Sequence, residues 1–170
     1  MKFVQTCSPN ADVNSVLLFG QFHRAHHLLE QAMEKNLDDV GLSWATFRVL
    51  MNLMRAEQDG PLAGLLPSEL SERQDISRNT MSALIASLEK DELIRRELHG
   101  EDHRKFLIHL TARGRELMQA QLANQFKYVS DCFETMTARD RQQLLALLTR
   151  LNTGLIAKVK QCKNEKSPAS

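Results

Sequence analysis

The sequence predicts a mainly α-helical fold that carries one small β-hairpin. Three observations point to it. Apolar residues recur at helical spacing over most of the chain. The only strand character lies in two short runs flanking a charged connection that contains a glycine. Glycine and proline, 7 and 4 in number, gather mainly in the middle.

From Asn14 to Met33 the residues Val16, Phe19, Phe22, Leu28, Leu29, Ala32 and Met33 stand near helical spacing and predict a first helix. Ser43 caps a second, which carries Phe47, Leu50, Met51 and Met54 and stops before Gln58-Asp59-Gly60-Pro61. Gly64 to Pro67 continues that irregular connection. A short helix with Leu70 follows Pro67-Ser68 and ends near Asp75, and Ser77 caps the next. In this helix Met81, Leu84, Ile85 and Leu88 stand at i, i+3, i+4 and i+7, so one face is buried. Arg78, Asn79 and Ser82 lie on the opposite face, with Thr80 near its edge. Two adjacent short helices, the second presenting polar donors, have the geometry of a helix-turn-helix.

The runs Leu93–Leu98 and Lys105–Leu110 flank His99-Gly100-Glu101-Asp102-His103-Arg104 and predict a hairpin. A charged hairpin directly after a recognition helix is a wing. Thr111 then caps a helix with Leu117, Met118, Leu122, Phe126, Val129 and Phe133. Thr137-Ala138-Arg139-Asp140 forms a capping box with aspartate in place of glutamate. It opens a last helix carrying Leu144, Leu147, Leu148, Leu151, Leu155 and Val159. Lys163 to Ser170 reads as a solvated, disordered tail.

The composition, 42% hydrophobic and 25% charged over 170 residues, supports one globular domain, or one compact domain with extended flanks. The net charge of +1 gives no general basicity. Between Arg73 and Arg115, however, cations and acids alternate closely, and several acids fall where they could orient an arginine. No apolar run approaches the roughly 20 residues of a membrane span, and the N-terminal region lacks the apolar stretch of a secretory signal. Cys7, Cys132 and Cys162, odd in number and scattered, suit a reducing cytoplasm rather than a disulfide framework. No glycine-rich phosphate loop, HExxH or GxSxG is present, so neither an enzyme nor a cofactor is expected. The long outer helices would expose apolar stripes unless they pack together, and a second copy of the chain is an efficient cover.

From about Leu42 to Leu117 the sequence resembles the MarR family of multiple-antibiotic-resistance-type regulators. The resemblance runs through Leu42-Ser43-Trp44-Ala45-Thr46-Phe47-Arg48-Val49-Leu50, Pro67-Ser68-Glu69-Leu70-Ser71-Glu72-Arg73 and Ile76-Ser77-Arg78-Asn79-Thr80-Met81-Ser82. It continues in Leu88-Glu89-Lys90, Leu93-Ile94-Arg95-Arg96, Glu101-Asp102-His103-Arg104 and Leu110-Thr111-Ala112-Arg113-Gly114-Arg115. It implies a homodimer held by terminal helices (residues 1–36 and 111–162) around a winged helix-turn-helix (37–110) that binds double-stranded DNA. Ser77, Arg78, Asn79, Thr80 and Ser82 match the groove-facing residues. Asp102 and Arg104 match a wing pair in which the acid orients an arginine entering the minor groove. The implied function is a repressor on a pseudo-palindromic operator, released by a small effector. The alternative is a dimeric interaction module of the same fold without DNA binding.

Two departures stand out. Gln74-Asp75 occupies positions where the family often has an apolar residue and a glycine, and aspartate tolerates a left-handed turn. The connection from Glu57 to Pro67 is long, and its Leu62, Leu65 and Leu66 need a place to pack.

For the effector, an aromatic acid or phenol, the resemblance points to the region of Trp44, with Arg48, His23 and His27 as polar partners. His23 and His27, four apart beside His26, have a spacing able to clamp a metal. The zinc-sensing branch draws further ligands from the helix after the wing, which has no histidine here, so no metal is expected. The peroxide-sensing branch has its cysteine within the first helix, where Val16 stands here. Cys7 and Cys132 are therefore read as inert thiols.

Overall fold

In a computed structural model, which describes residues 6–8, 10–58, 60, 64–100 and 104–165, the side chains Ser43, Ser77, Thr111 and Thr137 each start a helix. The order is α1 (Val13–Leu37), a short 3-10 turn (Asp38–Val40), α2 (Trp44–Ala56), α3 (Pro67–Gln74), α4 (Arg78–Lys90), β1 (Ile94–Leu98), β2 (Phe106–Leu110), α5 (Ala112–Cys132) and α6 (Ala138–Glu165). Each cap satisfies a backbone N–H that the first turn leaves unpaired. Ser43 Oγ accepts from Thr46 N–H at 3.1 Å, Ser77 Oγ from Thr80 N–H at 3.1 Å and Thr111 Oγ1 from Gly114 N–H at 3.0 Å. At α6, Thr137 Oγ1 accepts from Asp140 N–H at 3.2 Å, and the Asp140 carboxylate accepts from Thr137 N–H at 3.1 Å. Aspartate thus closes the capping box in place of glutamate.

The chain divides into a unit over Met1–Tyr128 and a second over Val129–Ser170. In the first, the core draws Phe47, Leu50 and Leu53 from α2, Leu70 from α3, and Met81, Ile85 and Leu88 from α4. Ile108 and Leu110 of β2 and Met118 of α5 complete it. The stripes are those the helical spacing sets, with Leu84 half-buried at the margin.

β1 and β2 pair antiparallel in a register that sets Ile94 opposite Leu110, Arg96 opposite Ile108 and Leu98 opposite Phe106. The long connection after α2 contributes what its sequence pattern did not announce. Leu65 is buried and bridges Ile108, its N–H donating to the Ile108 carbonyl at 3.1 Å and its carbonyl accepting from Ile108 N–H at 2.9 Å. Leu66 caps α3 and is half-buried, whereas Leu62 lies outside the described residues.

The hairpin is fastened to α5 by close backbone approach. Thr111 Oγ1 donates to the Glu92 carbonyl at 2.7 Å, and Thr111 N–H donates to the Leu93 carbonyl at 3.1 Å. A Cβ at Gly114 would collide with that same Leu93 oxygen, so glycine is what lets the first turn of α5 settle there.

On α1 only Met33 and Leu37 are buried; Val16, Leu17, Leu18, Phe19, Phe22 and Leu28 are exposed. In the second unit α6 exposes Leu147, Leu151, Leu155 and Val159. The helix runs to Glu165, into the segment read as a tail from Lys163; residues 166–170 lie outside the described residues. Among the described residues no helix is long and apolar enough to cross a membrane.

Candidate nucleic-acid interface

α4 presents a polar face because its apolar one is locked beneath it. Ser77, Arg78, Asn79, Thr80 and Ser82 are all exposed, while Met81, Ile85 and Leu88 are fully buried. The hydroxyls of Ser77 and Thr80 lie 2.8 Å apart within the cap, which leaves Arg78, Asn79 and Ser82 as the outward-facing donors.

The turn that sets α4 against α3 depends on Asp75, held in the left-handed region at φ 54 and ψ 44. Ser71 Oγ donates to the Ile76 carbonyl at 2.5 Å and fixes the exit. Gln74, at the position where the family often has an apolar residue, is buried. Its Nε2 has no hydrogen-bond partner among the described residues.

Several arginines on and around the wing are ion-paired. Arg96 Nε lies 3.0 Å from Glu89 Oε2 and ties β1 to α4. Arg95 pairs with Glu97, Arg113 with Glu92 at 3.3 Å, and Arg115 with Glu57 at 2.8 Å. Hydrogen bonding to Arg95 is the main reason the Glu97 carboxyl is held below its ordinary pKa. The Glu57 hydrogen bonds raise that of Arg115. Arg78, by contrast, has no ion pair among the described residues.

Arg104 is exposed at the turn that enters β2. Asp102, expected to orient it, lies outside the described residues. A cavity of about 280 Å³ opens between the wing and the start of α3, bordered by Ser68, Arg96, Arg104, Lys105 and Phe106. Three cations around a part-apolar floor suit an anion attached to a flat organic group.

The four effector-region residues keep separate company. His23 stacks on Phe19 with ring centroids 6.3 Å apart, and His27 Nε2 meets Gln31 Nε2 at 3.1 Å. Trp44 is half-buried and stacks on the core residue Phe47 at 5.7 Å, while its backbone N–H donates to the Glu34 carboxylate at 2.6 Å. Arg48 Nη2 reaches the Gln74 carbonyl at 3.5 Å. None of the four borders the cavity beside the wing or a second one, of about 430 Å³, near Leu42, Leu93 and Arg113. Among the described residues no three His, Cys, Asp or Glu side chains group as a metal site would require.

Sequence reasoning missed His109 and the Glu57–Arg115 pair. His109 is buried on β2 with its Nε2 lacking a hydrogen-bond partner among the described residues. Burial first, and the charge of Arg95 second, lower its pKa from the ordinary value. Neither feature has a local signal, because each depends on residues far apart in sequence.

The segment that holds α2, the helix-turn-helix and the outgoing wing strand matches a known family. A family model described as the MarR family covers residues 40–105. Over that segment the chain is similar to the MarR family. The HTH-type transcriptional repressor YetL of Bacillus subtilis (strain 168) is 28% identical over 139 residues, 82% of this chain and 81% of YetL. The MarR-family regulator AbsC from Streptomyces coelicolor superposes with a TM-score of 0.75 at 24% identity, covering 86% of this chain and 97% of AbsC. Sco3205 from the same organism, solved in complex with DNA, gives a TM-score of 0.74 at 24% identity, covering 85% of this chain and 89% of Sco3205. At these identities the structural likeness is one of fold.

Proposed function

We propose that this chain is a sequence-specific DNA-binding transcriptional regulator, not an enzyme, that acts as a homodimeric repressor on a pseudo-palindromic operator. The observation that carries the reading is the exposed row Arg78, Asn79 and Ser82 over the buried Met81, Ile85 and Leu88, beside a wing edged by Arg96, Arg104 and Lys105. A helix so mounted can enter a major groove, where arginine and asparagine make two-point contacts with guanine and adenine. In this reading the cation-lined cavity takes backbone phosphate, with deoxyribose against Phe106. Asp102 holds Arg104 for the minor groove.

Residues 37–110 form the DNA-binding domain in this proposal. The helices within 1–36 and 111–162 supply the dimer contacts, where a partner covers the exposed Phe19 and Phe22 of α1 and Leu151 and Leu155 of α6. Two recognition helices about 34 Å apart then meet successive turns of one face of DNA. Such a role belongs in the cytoplasm, with the DNA. The repressor sense is supported by the name of YetL, and release by an aromatic acid or phenol near Trp44, Arg48, His23 and His27 follows from the family resemblance.

One observation favours the alternative, an interaction module of the same fold without DNA binding. Arg95, Arg96, Arg113 and Arg115 are all ion-paired within the chain. Selection of bound duplexes from a random pool separates the two. A regulator enriches one inverted-repeat sequence, and a module without DNA binding enriches none. Repeating the selection with candidate aromatic acids tests the effector.

A further inference from the structure

His109 occupies the middle of β2 opposite Arg95, and only 5% of its surface is exposed. Its Nε2 has no hydrogen-bond partner among the described residues. The nearest acid among the described residues, Glu97, is 3.8 Å away, beyond hydrogen-bond range, and is already held by Arg95. Gly64 closes over the ring. A Cβ there would stand 2.6 Å from both Cε1 and Nε2, so the cover requires glycine. The next residue, Leu65, makes the two backbone bonds that attach the long connection to Ile108.

The charged groups facing the ring are Arg95 and Glu97 from β1, Glu57 from the end of α2 and Arg115 from α5. Among the described residues they form two complete ion pairs and leave no charge over. The arrangement is balanced only while the imidazole is neutral. A proton on Nε2 would place an uncompensated charge against the Gly64 backbone, which is costly in a buried setting. The charged ring is relieved by reaching water, and that requires Gly64 and Leu65 to move.

We infer that His109 makes the wing acid-sensitive: protonation detaches the Gly64–Leu65 segment from β2, loosens the hairpin and weakens the grip on DNA. The DNA part rests on the regulator reading above. The opening of the wing does not. The sign follows from linkage. The folded-state pKa lies below the unfolded value of about 6.5, so the stabilisation is complete above that value and is lost as pH falls through the folded one. Plain electrostatics has the opposite sign, because added protons on histidines strengthen attraction to DNA.

The test uses the intact protein. Amide hydrogen exchange at Leu65 and Ile108, corrected for its intrinsic pH dependence, is measured by NMR between pH 8 and pH 5, together with the His109 ring titration. Opening about tenfold more frequent at pH 5, with Ile85 in α4 unchanged, is expected. Glu97→Gln removes the nearest carboxylate and leaves Arg95 uncompensated, so the ring titration should move to lower pH and opening at pH 5 should be more frequent than in wild type. His109→Gln should abolish the pH dependence, and if it does not fold the wild-type and Glu97→Gln titrations decide. On a selected duplex, anisotropy should show weaker binding at pH 5.5 than at pH 8 in wild type, a loss that His109→Gln removes. Exchange that stays flat with pH, or a ring that titrates at or above the ordinary value, overturns the proposal. Tighter binding in acid overturns its DNA part. Absence of binding at pH 8 counts against the regulator reading, while exchange still decides the wing.

Discussion

Arg115 lies fork to fork on Glu57. Its Nε is 3.0 Å and 2.9 Å from the two carboxylate oxygens, and its Nη2 is 2.8 Å from Oε1. The pair joins the end of α2 to the first turn of α5 across 58 residues of sequence, and it closes one side of the surroundings of His109. It is partly exposed, so screening by water limits its worth. A double-mutant cycle with Glu57→Ala and Arg115→Ala, read by urea denaturation, should give a coupling of about 0.5–1 kcal/mol that shrinks in high salt. A coupling near zero at low salt would mean the two side chains do not hold each other.

Gln74 yields a prediction of opposite sign. Its side chain is buried, and its Nε2 lacks a hydrogen-bond partner among the described residues, so the folded state carries a desolvated donor. Gln74→Leu should therefore stabilise the protein by about 1 kcal/mol, seen as a higher urea midpoint with unchanged slope. Destabilisation would show that the amide has a partner in solution.

These two sites mark the limit of what the sequence discloses. The helix starts were legible because Ser43, Ser77, Thr111 and Thr137 act within their own first turns. The buried stripe of α4 was legible because Met81, Ile85 and Leu88 repeat at helical spacing. The left-handed turn at Asp75 was anticipated from aspartate's tolerance of it. What escaped was tertiary. Leu65 looked like a loop residue until Ile108 offered it two backbone bonds, and His109 looked like one polar member of an apolar strand. The polar face of α4 was likewise readable, since it is simply what the stripe leaves over.

The wing supplies a third prediction. If Arg104 enters the minor groove, Arg104→Ala should weaken operator binding and lower its salt dependence by roughly one phosphate equivalent. Asp102→Ala should weaken binding too, although it removes a charge that repels DNA. Fluorescence anisotropy at several salt concentrations checks both. Tighter binding by Asp102→Ala would contradict an orienting role for the acid.

Assembly supplies a fourth. Leu151 is exposed on α6, and Phe19 is exposed on α1. The intact chain should sediment as a dimer at micromolar concentration. Leu151→Glu or Phe19→Glu should shift it toward monomer or aggregate, because a charge would then face the covering surface. A wild-type monomer at that concentration would contradict the dimer.

If α4 reads bases, Arg78 and Asn79 are the residues whose loss shows it with least ambiguity. Both are exposed, so alanine at either should leave the fold intact by circular dichroism. The deciding measurement is anisotropy of Arg78→Ala and Asn79→Ala on the selected operator and on a scrambled duplex of equal length. A loss of about 1–3 kcal/mol is expected on the operator, with a much smaller loss on the scrambled duplex. Equal losses on both duplexes, or no loss on either, would contradict it.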